Sequence, residues 1–422
     1  MKKILSLILV LSMILALGLT FTSCGDDEEE TNSGEQVTVL DEVSLGAKFT
    51  VPSDFKIGFI CLHDKNSTYD LNFLNAVDTI KSYLGLTDAQ VIVETNIPED
   101  NACYEAAKRL ANQGCDVIFA NSFGHEAHII KAAEEFPNIQ FCHATGTKAL
   151  VKDLPNYHNA FASIYEGRYL AGVAAGLKLN EMIAEGKITA SEAVIGYIGA
   201  YPYAEVKSGY TSFFLGARSV CPSATMKVRF TDSWYDYDKE KEAANSLITI
   251  DKCVLISQHA DSMGAPSACE LAGVPNVSYN GSTVSACPET FIISSAINWA
   301  PYYYEIIKAT VNGQDIPANW CGTIATGSVV LSKLNVDAAA DGTAEKIREV
   351  AAKLQNGTLH VFDTDAFKVN GQKLTSYNAD VIDMGDYVPE TEVIKNGYFS
   401  ESDFRSAPYF DIDIDGITLI NK

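Results

Sequence analysis

The chain has 422 residues, 47% of them hydrophobic and 20% charged. These are ordinary globular values, so they exclude wholesale disorder and predict two or three domains, or one large two-lobed unit. Acidic residues number 54 against 31 basic ones, for a net charge of −23. A nucleic-acid binder needs a basic face to neutralise phosphates, so no nucleic acid is expected as a partner, and an anionic membrane surface is equally disfavoured.

Residues 1–24 read as an export signal. Lys2 and Lys3 precede an apolar run from Ile4 to Leu19, and Thr22-Ser23-Cys24 closes it. That run is short for a spanning helix, and the charged start with small residues at the end marks a cleavable segment. Small residues leading into Cys24 resemble a bacterial lipobox, in which the cysteine takes up lipid. The expected location is therefore the extracytoplasmic face of the cell membrane, with an acyl anchor in the lipid bilayer. Residues 25–54 hold nine acidic side chains and one lysine and read as a flexible acidic tether. Nine cysteines follow Cys24, without CxxC or metal-type spacing; several sit in apolar runs, where free thiols behave as small hydrophobes.

From residue 56 the hydrophobic period alternates. Residues 56–62 suit a strand buried on both faces; Phe73, Val77, Ile80 and Leu84 then recur at helical spacing up to Gly85. Strands at 91–94, 116–120 and 139–143 alternate with helices at 104–113 and 126–136. The rhythm restarts with helices at 166–179, 206–219, 239–248 and 266–272, between strands at 193–198, 226–230, 253–257 and 276–279. Such βα alternation predicts parallel sheets with helices on both faces, here as two successive doubly wound units. Past residue 320 the texture changes. Residues 344–354 read as a helix, and Asn370-Gly371 and Asp415-Gly416 between apolar residues read as hairpin turns.

No G-x-S-x-G, HExxH or Walker A motif is present. The run Asp411 to Gly416 lacks the glutamate an EF-hand loop needs at its twelfth position, which is Lys422. His125 and His128 lack a carboxylate motif, and Asp236 and Asp238 fit a helix start. No catalytic residue, metal or cofactor is expected. What stands out is the chemistry after the strands, where ligands sit in open α/β sheets. Ser67, Thr68 and Tyr69 follow the first strand, Ser122 and Phe123 the third, and His143 to Gly146 the fourth. In the second unit Tyr201, Trp234, His259, Asp261 and Asn280 hold such positions. Amides, hydroxyls and flat rings suit a planar, polar, uncharged ligand, stacked on its faces and read along its edge.

These residues resemble the basic membrane protein family of substrate-binding lipoproteins of ABC importers. The resemblance runs through Ser67-Thr68-Tyr69, Asn121 to Gly124, His143 to Gly146, Tyr165 to Gly172, Leu215 to Val220, Trp234, Lys239 to Ala244, Gln258 to Ser262 and Trp299 to Tyr303. It implies an α/β type I periplasmic-binding-protein fold, with two Rossmann-like lobes and a three-strand hinge. Lobe one would be residues 55–163 plus 290–325, lobe two 164–289, and 326–422 an accessory segment packed on the lobes. It further implies capture of a purine nucleobase or nucleoside between the lobes and delivery to an ABC permease. Ser67, Thr68, Tyr69, Ser122, Phe123, Tyr201, Trp234, His259, Asp261, Asn280 and Trp299 are the implied ligand contacts. Relatives usually carry Asp where this chain has Asn280, and others a Lys near Ile297 that is missing here, which favours a free base such as adenine over a nucleoside. The alternatives are a ligand-sensing receptor lipoprotein for another small molecule and a secreted nucleoside hydrolase.

Overall fold

The computed structural model describes residues 35–421. The export signal, Cys24 and the start of the acidic tether lie outside the described residues. Two parallel sheets organise the rest. The first has six strands in the order Asn319–Gly322, Tyr157–Ala162, Gln140–Ala144, Val117–Ala120, Ile57–Ile60, Val91–Glu94, all parallel. The second has seven: Val329–Leu331, Phe291–Ile297, Asn276–Tyr279, Leu255–His259, Val194–Gly199, Thr225–Phe230, Ile417–Leu419. Only Val329–Leu331 runs antiparallel to its neighbour. The central strands Ile57–Ile60 and Val117–Ala120 are buried at every position, as expected of strands covered by helices on both faces.

The helices start and stop where the chemistry directs. Ser67 caps Thr68–Leu84 by accepting from the Asp70 amide, and Gly85 ends it with a φ of 71°. In the second lobe Ile164–Ala184 and Ala204–Val220 pack backbone to backbone: a Cβ on Gly172 would lie 2.0 Å from the Phe213 carbonyl oxygen, and one on Gly216 2.0 Å from that of Tyr169. Only glycine permits that approach.

The chain crosses between the sheets three times: at Ser163, between Ile297 and Ala300, and between Gly322 and Val329. Glu166 clasps the first crossing to the third, accepting from Ser163 Oγ at 2.6 Å and from the Ile324 amide at 2.9 Å. Asn298 ties the second to the third through the Ser328 carbonyl at 2.7 Å. This is the three-segment hinge of the type I binding-protein fold.

The structure differs from the expected boundaries in three places. Phe291–Ile297, expected with lobe one, pairs in parallel with Asn276–Tyr279 of the second sheet, where the helix Ile164–Ala184 covers it: a Cβ on Gly167 would lie 3.1 Å from that of Ser295. Residues 35–54 of the tether lie along the fold. Gln36–Val37 pairs with Leu334–Asn335, Val39 is buried, and Tyr304 donates to the Ala47 carbonyl at 2.8 Å. Scattered apolar residues such as Val37, Leu45 and Phe49 give this acidic stretch something to bury. Asp415-Gly416 makes no hairpin; it leads Ile417–Leu419 into the second sheet beside Thr225–Phe230. Asn370-Gly371 does turn as expected, with Val369 bridged to Gln372.

Candidate ligand-binding site

Between the carboxyl ends of the two sheets lies a narrow pocket, lined by Leu62, His63, Tyr69, Asp70, Ser122, Phe123 and Thr145 from one lobe and Glu205, Trp234, His259, Asp261 and Asn280 from the other.

The first lobe's wall is braced from behind. Tyr69 donates to the Asn121 carbonyl at 2.7 Å and meets Phe73 edge-on at 4.9 Å. Phe73 in turn stacks on Trp299 at 4.6 Å. The carboxylate of Asp70, fully buried, accepts from the His63 amide at 3.0 Å and from Asn121 Nδ2 at 2.7 Å. Burial alone would raise its pKa; the hydrogen bonds from His63 and Asn121 outweigh that and hold it below the ordinary carboxylate value. Glu99 fixes the next loop, accepting from Ser122 Oγ at 2.5 Å and from the Gly124 amide at 2.8 Å. Thr145 closes this wall with a φ of 64°. A β-branched residue is strained there, and such strain collects at functional sites.

The second lobe's wall is electrostatically different. Asp261 accepts one side-chain bond, from Asn280 Nδ2 at 3.1 Å. Burial pushes its pKa well above the carboxylate range, and the carboxyls of Glu240 and Asp70 push it further. His259 packs on Tyr279 at 4.3 Å, with Nε2 3.6 Å from Glu205. Burial lowers its pKa against the pull of Glu205, so the ring is kept neutral. Behind Tyr279 lies Arg168, fully buried, its guanidinium spent on the Ser278 carbonyl at 3.0 Å, Tyr197 OH at 3.0 Å and Ser257 Oγ at 2.9 Å. Asn280 itself has a φ of 66°.

The lobes touch directly across the cleft. The Thr68 amide and hydroxyl both donate to the Asp261 carbonyl, at 3.1 and 3.2 Å. Asn72 Nδ2 reaches Asn280 Oδ1 at 3.4 Å, and the rings of His63 and Tyr235 lie 5.5 Å apart. This is a closed arrangement.

Residues 61–364 match the family model of PnrA-like ABC transporter substrate-binding proteins. The chain belongs to that family. It is 33% identical over 281 residues to a purine-binding protein of Brucella abortus, across 66% of this chain and 74% of that protein. It is 32% identical over 262 residues to a putative ABC transporter glucose-binding protein of Haloferax volcanii, across 62% of each chain. Among solved structures, a solute-binding protein of an ABC transporter system from Conexibacter woesei aligns with a TM-score of 0.59 at 19% identity, over 72% of this chain and 98% of that one. A transcriptional activator of the comK gene from Bacillus halodurans aligns at 0.58 and 18%, with the same coverage. The two structural likenesses speak to the fold alone.

In this substrate-binding protein the pocket gathers seven of the residues singled out in the sequence: Tyr69, Ser122, Phe123, Trp234, His259, Asp261 and Asn280. Four others lie elsewhere. Ser67 is spent on capping its helix. Thr68 latches the lobes instead of facing the pocket. Tyr201 stacks on Tyr203 at 5.1 Å and touches Trp234 edge-on from behind. Trp299 is 1% exposed and belongs to the first lobe's core. Leu62, His63, Asp70, Thr145 and Glu205 line the pocket without having been singled out. Thr145 sat within a loop already noted after a strand. Asp70 and Glu205 lie in the first turns of helices, where an acid is explained by the helix dipole and draws no attention. Among the described residues no group of three or more His, Cys, Asp or Glu is placed to hold a metal ion, and no helix is long and apolar enough to cross a membrane. All nine cysteines from Cys61 to Cys321 are free thiols.

Proposed function

We propose that this protein is the lipid-anchored, extracytoplasmic binding component of an ABC importer, and that it captures a purine nucleobase or nucleoside in the interlobe pocket without chemically altering it. The observation that carries the reading is the pocket itself. Rings from both lobes, Tyr69 and Phe123 against Trp234 and His259, enclose a small space whose rim offers Ser122, Asp70, Asp261, Asn280 and Glu205. Flat faces are held by rings, and a heterocycle's edge is read by groups that both donate and accept. Ligand contacts to both lobes favour the closed form, and docking on a permease would release the cargo. The purine-binding relative supports the ligand class. The sequence around Cys24 supports the anchor.

Titration calorimetry of the purified protein with adenine, adenosine, inosine and glucose tests this. A micromolar or tighter dissociation constant for a purine, with none for glucose, is the expected outcome; glucose binding without purine binding refutes it. The same samples, analysed for free base released from inosine, separate capture from hydrolysis. The substitution Cys24→Ser is expected to move the protein from the membrane fraction to the medium or periplasm.

A further inference from the structure

The family match ends at residue 364, and the chain beyond it does not hang free. It spans the mouth of the cleft and is fastened to both lobes. On the first lobe, Thr147 donates to Asp383 Oδ2 at 2.8 Å, and the Ser406 amide to Asn319 Oδ1 at 2.9 Å. On the second, Lys207 pairs with Asp411 at 2.5 Å and Asp413 at 3.4 Å, and Ile417–Leu419 adds a strand to the sheet. Beneath this bridge is a second, larger cavity of about 410 Å3. It shares Phe123, Thr145, Glu205 and Trp234 with the interlobe pocket, so the two spaces meet at those side chains.

The lining of this outer chamber is one-sided in charge. Glu205, Asp380, Asp383 and Asp411 face it, with Arg405 as its one cation. Arg405 spends its hydrogen bonds on the backbone, its guanidinium donating to the carbonyls of Val381, Ala407 and Pro408 at 3.0, 3.2 and 3.2 Å, and its single charge offsets only part of that of Asp380 and Asp383. Lys207 offsets Asp411 and no other acid of the lining. Asp380 is left with a buried oxygen, Oδ1, that no protein group satisfies.

We propose that residues 377–411 form a third wall of the ligand site, and that its carboxylates select against phosphorylated ligands. The proposal rests on the purine reading of the inner pocket. A base seated between the rings would project any substituent past Glu205 into the outer chamber. A neutral hydroxylated or a cationic substituent finds acceptors there. A phosphate finds like charge in a space partly shielded from water, where repulsion between charges is strongly felt. The wall thus adds, to a two-lobed cleft, discrimination that the lobes alone do not supply.

Two measurements test this, on the full protein and on Asp380→Asn and Asp380→Lys. The first is the ratio of dissociation constants for adenosine monophosphate and adenosine by calorimetry. The second needs no ligand: quenching of Trp234 fluorescence, assigned by difference against Trp234→Phe, by iodide and by caesium. The expected ratio in the native protein is about 100-fold or more against the monophosphate, narrowed about tenfold by Asp380→Lys and less by Asp380→Asn. Caesium is expected to quench Trp234 better than iodide, with the preference reduced or reversed in Asp380→Lys. Equal affinities, or a ratio and a quenching preference unmoved by either substitution, overturn the third wall. Absence of binding by every purine sinks the inner-pocket reading alone, and the quenching contrast then decides the wall by itself.

Discussion

The two lobes approach the same guest with walls built on different physics. The first lobe backs its wall with packed rings, Tyr69 on Phe73 on Trp299, and anchors it with an acid, Asp70, whose Oδ1 accepts from the His63 amide and Asn121 Nδ2. The second backs its wall with a buried guanidinium, Arg168, behind Tyr279 and His259, and carries an acid, Asp261, whose pKa burial raises. The pKa values of two carboxyls facing one pocket are thus pushed in opposite directions by their surroundings. Asp70 can only accept; a protonated Asp261 can donate through its hydroxyl and accept through its carbonyl oxygen.

Substitutions that remove the backing of the first wall should have the largest effect. Trp299→Ala deletes a fully buried indole stacked on Phe73 and is expected to cost about 3–5 kcal/mol of stability. Chemical denaturation measures this, and a loss below 1 kcal/mol would show that the first wall does not depend on its ring stack. Asp70→Ala comes next. It leaves the His63 amide and Asn121 Nδ2 without their acceptor, at about 2–3 kcal/mol. The matching change on the other side, Asp261→Ala, should cost stability far less, because it removes a carboxyl that burial already disfavours. Equal losses for the two acids would erase the contrast between the walls.

Trp234→Ala sharpens the comparison from the ligand's side. It lines the pocket and is half-buried, in ring contact with Tyr201 and Tyr203. Stacking of a base on one ring contributes about 1–3 kcal/mol, so affinity should fall about 5- to 150-fold while the melting temperature barely moves. The two tryptophans therefore separate: one change read by denaturation, the other by calorimetry. An unchanged dissociation constant would remove Trp234 from the site.

The same contrast explains what was legible in the sequence. The lobes announced themselves because strands buried on both faces are continuous apolar runs, and polar residues just past their ends are few enough to notice. Ser122, His259, Asp261 and Asn280, read from strand ends in this way, line the pocket. Trp299 was misplaced because an aromatic after a strand looks the same whether it points into the cleft or the core. Asp70 and Glu205 lie in the first turns of helices and not just past a strand, so a reading of strand ends passes over them. Membership of Phe291–Ile297 in the second sheet depends on a crossing that leaves no periodic mark. The segment past residue 364 was least legible: its strands are two or three residues long, below the length at which alternation can be counted, and its fastening is by single polar contacts such as Thr147 to Asp383.

The smallest expected effect concerns pH, and its sign follows from Asp261. Its pKa in the folded protein is raised, so the folded form binds that proton more tightly than the unfolded chain does. The associated stability is complete at pH values below the ordinary carboxylate pKa and is lost as pH rises through the raised one. If the protonated carboxyl donates to the ligand, affinity is full below the raised value and falls above it, by about tenfold per pH unit once the group is mostly ionised. Asp261→Asn keeps a donor and an acceptor and cannot ionise. Calorimetry across a pH series should therefore show affinity that declines as pH rises through the raised value in the native protein and stays flat in Asp261→Asn. Asp70, already ionised and held below the ordinary value by His63 and Asn121, should contribute nothing in that window, so a decline that persists in Asp261→Asn would place the titrating group elsewhere and leave the two walls alike.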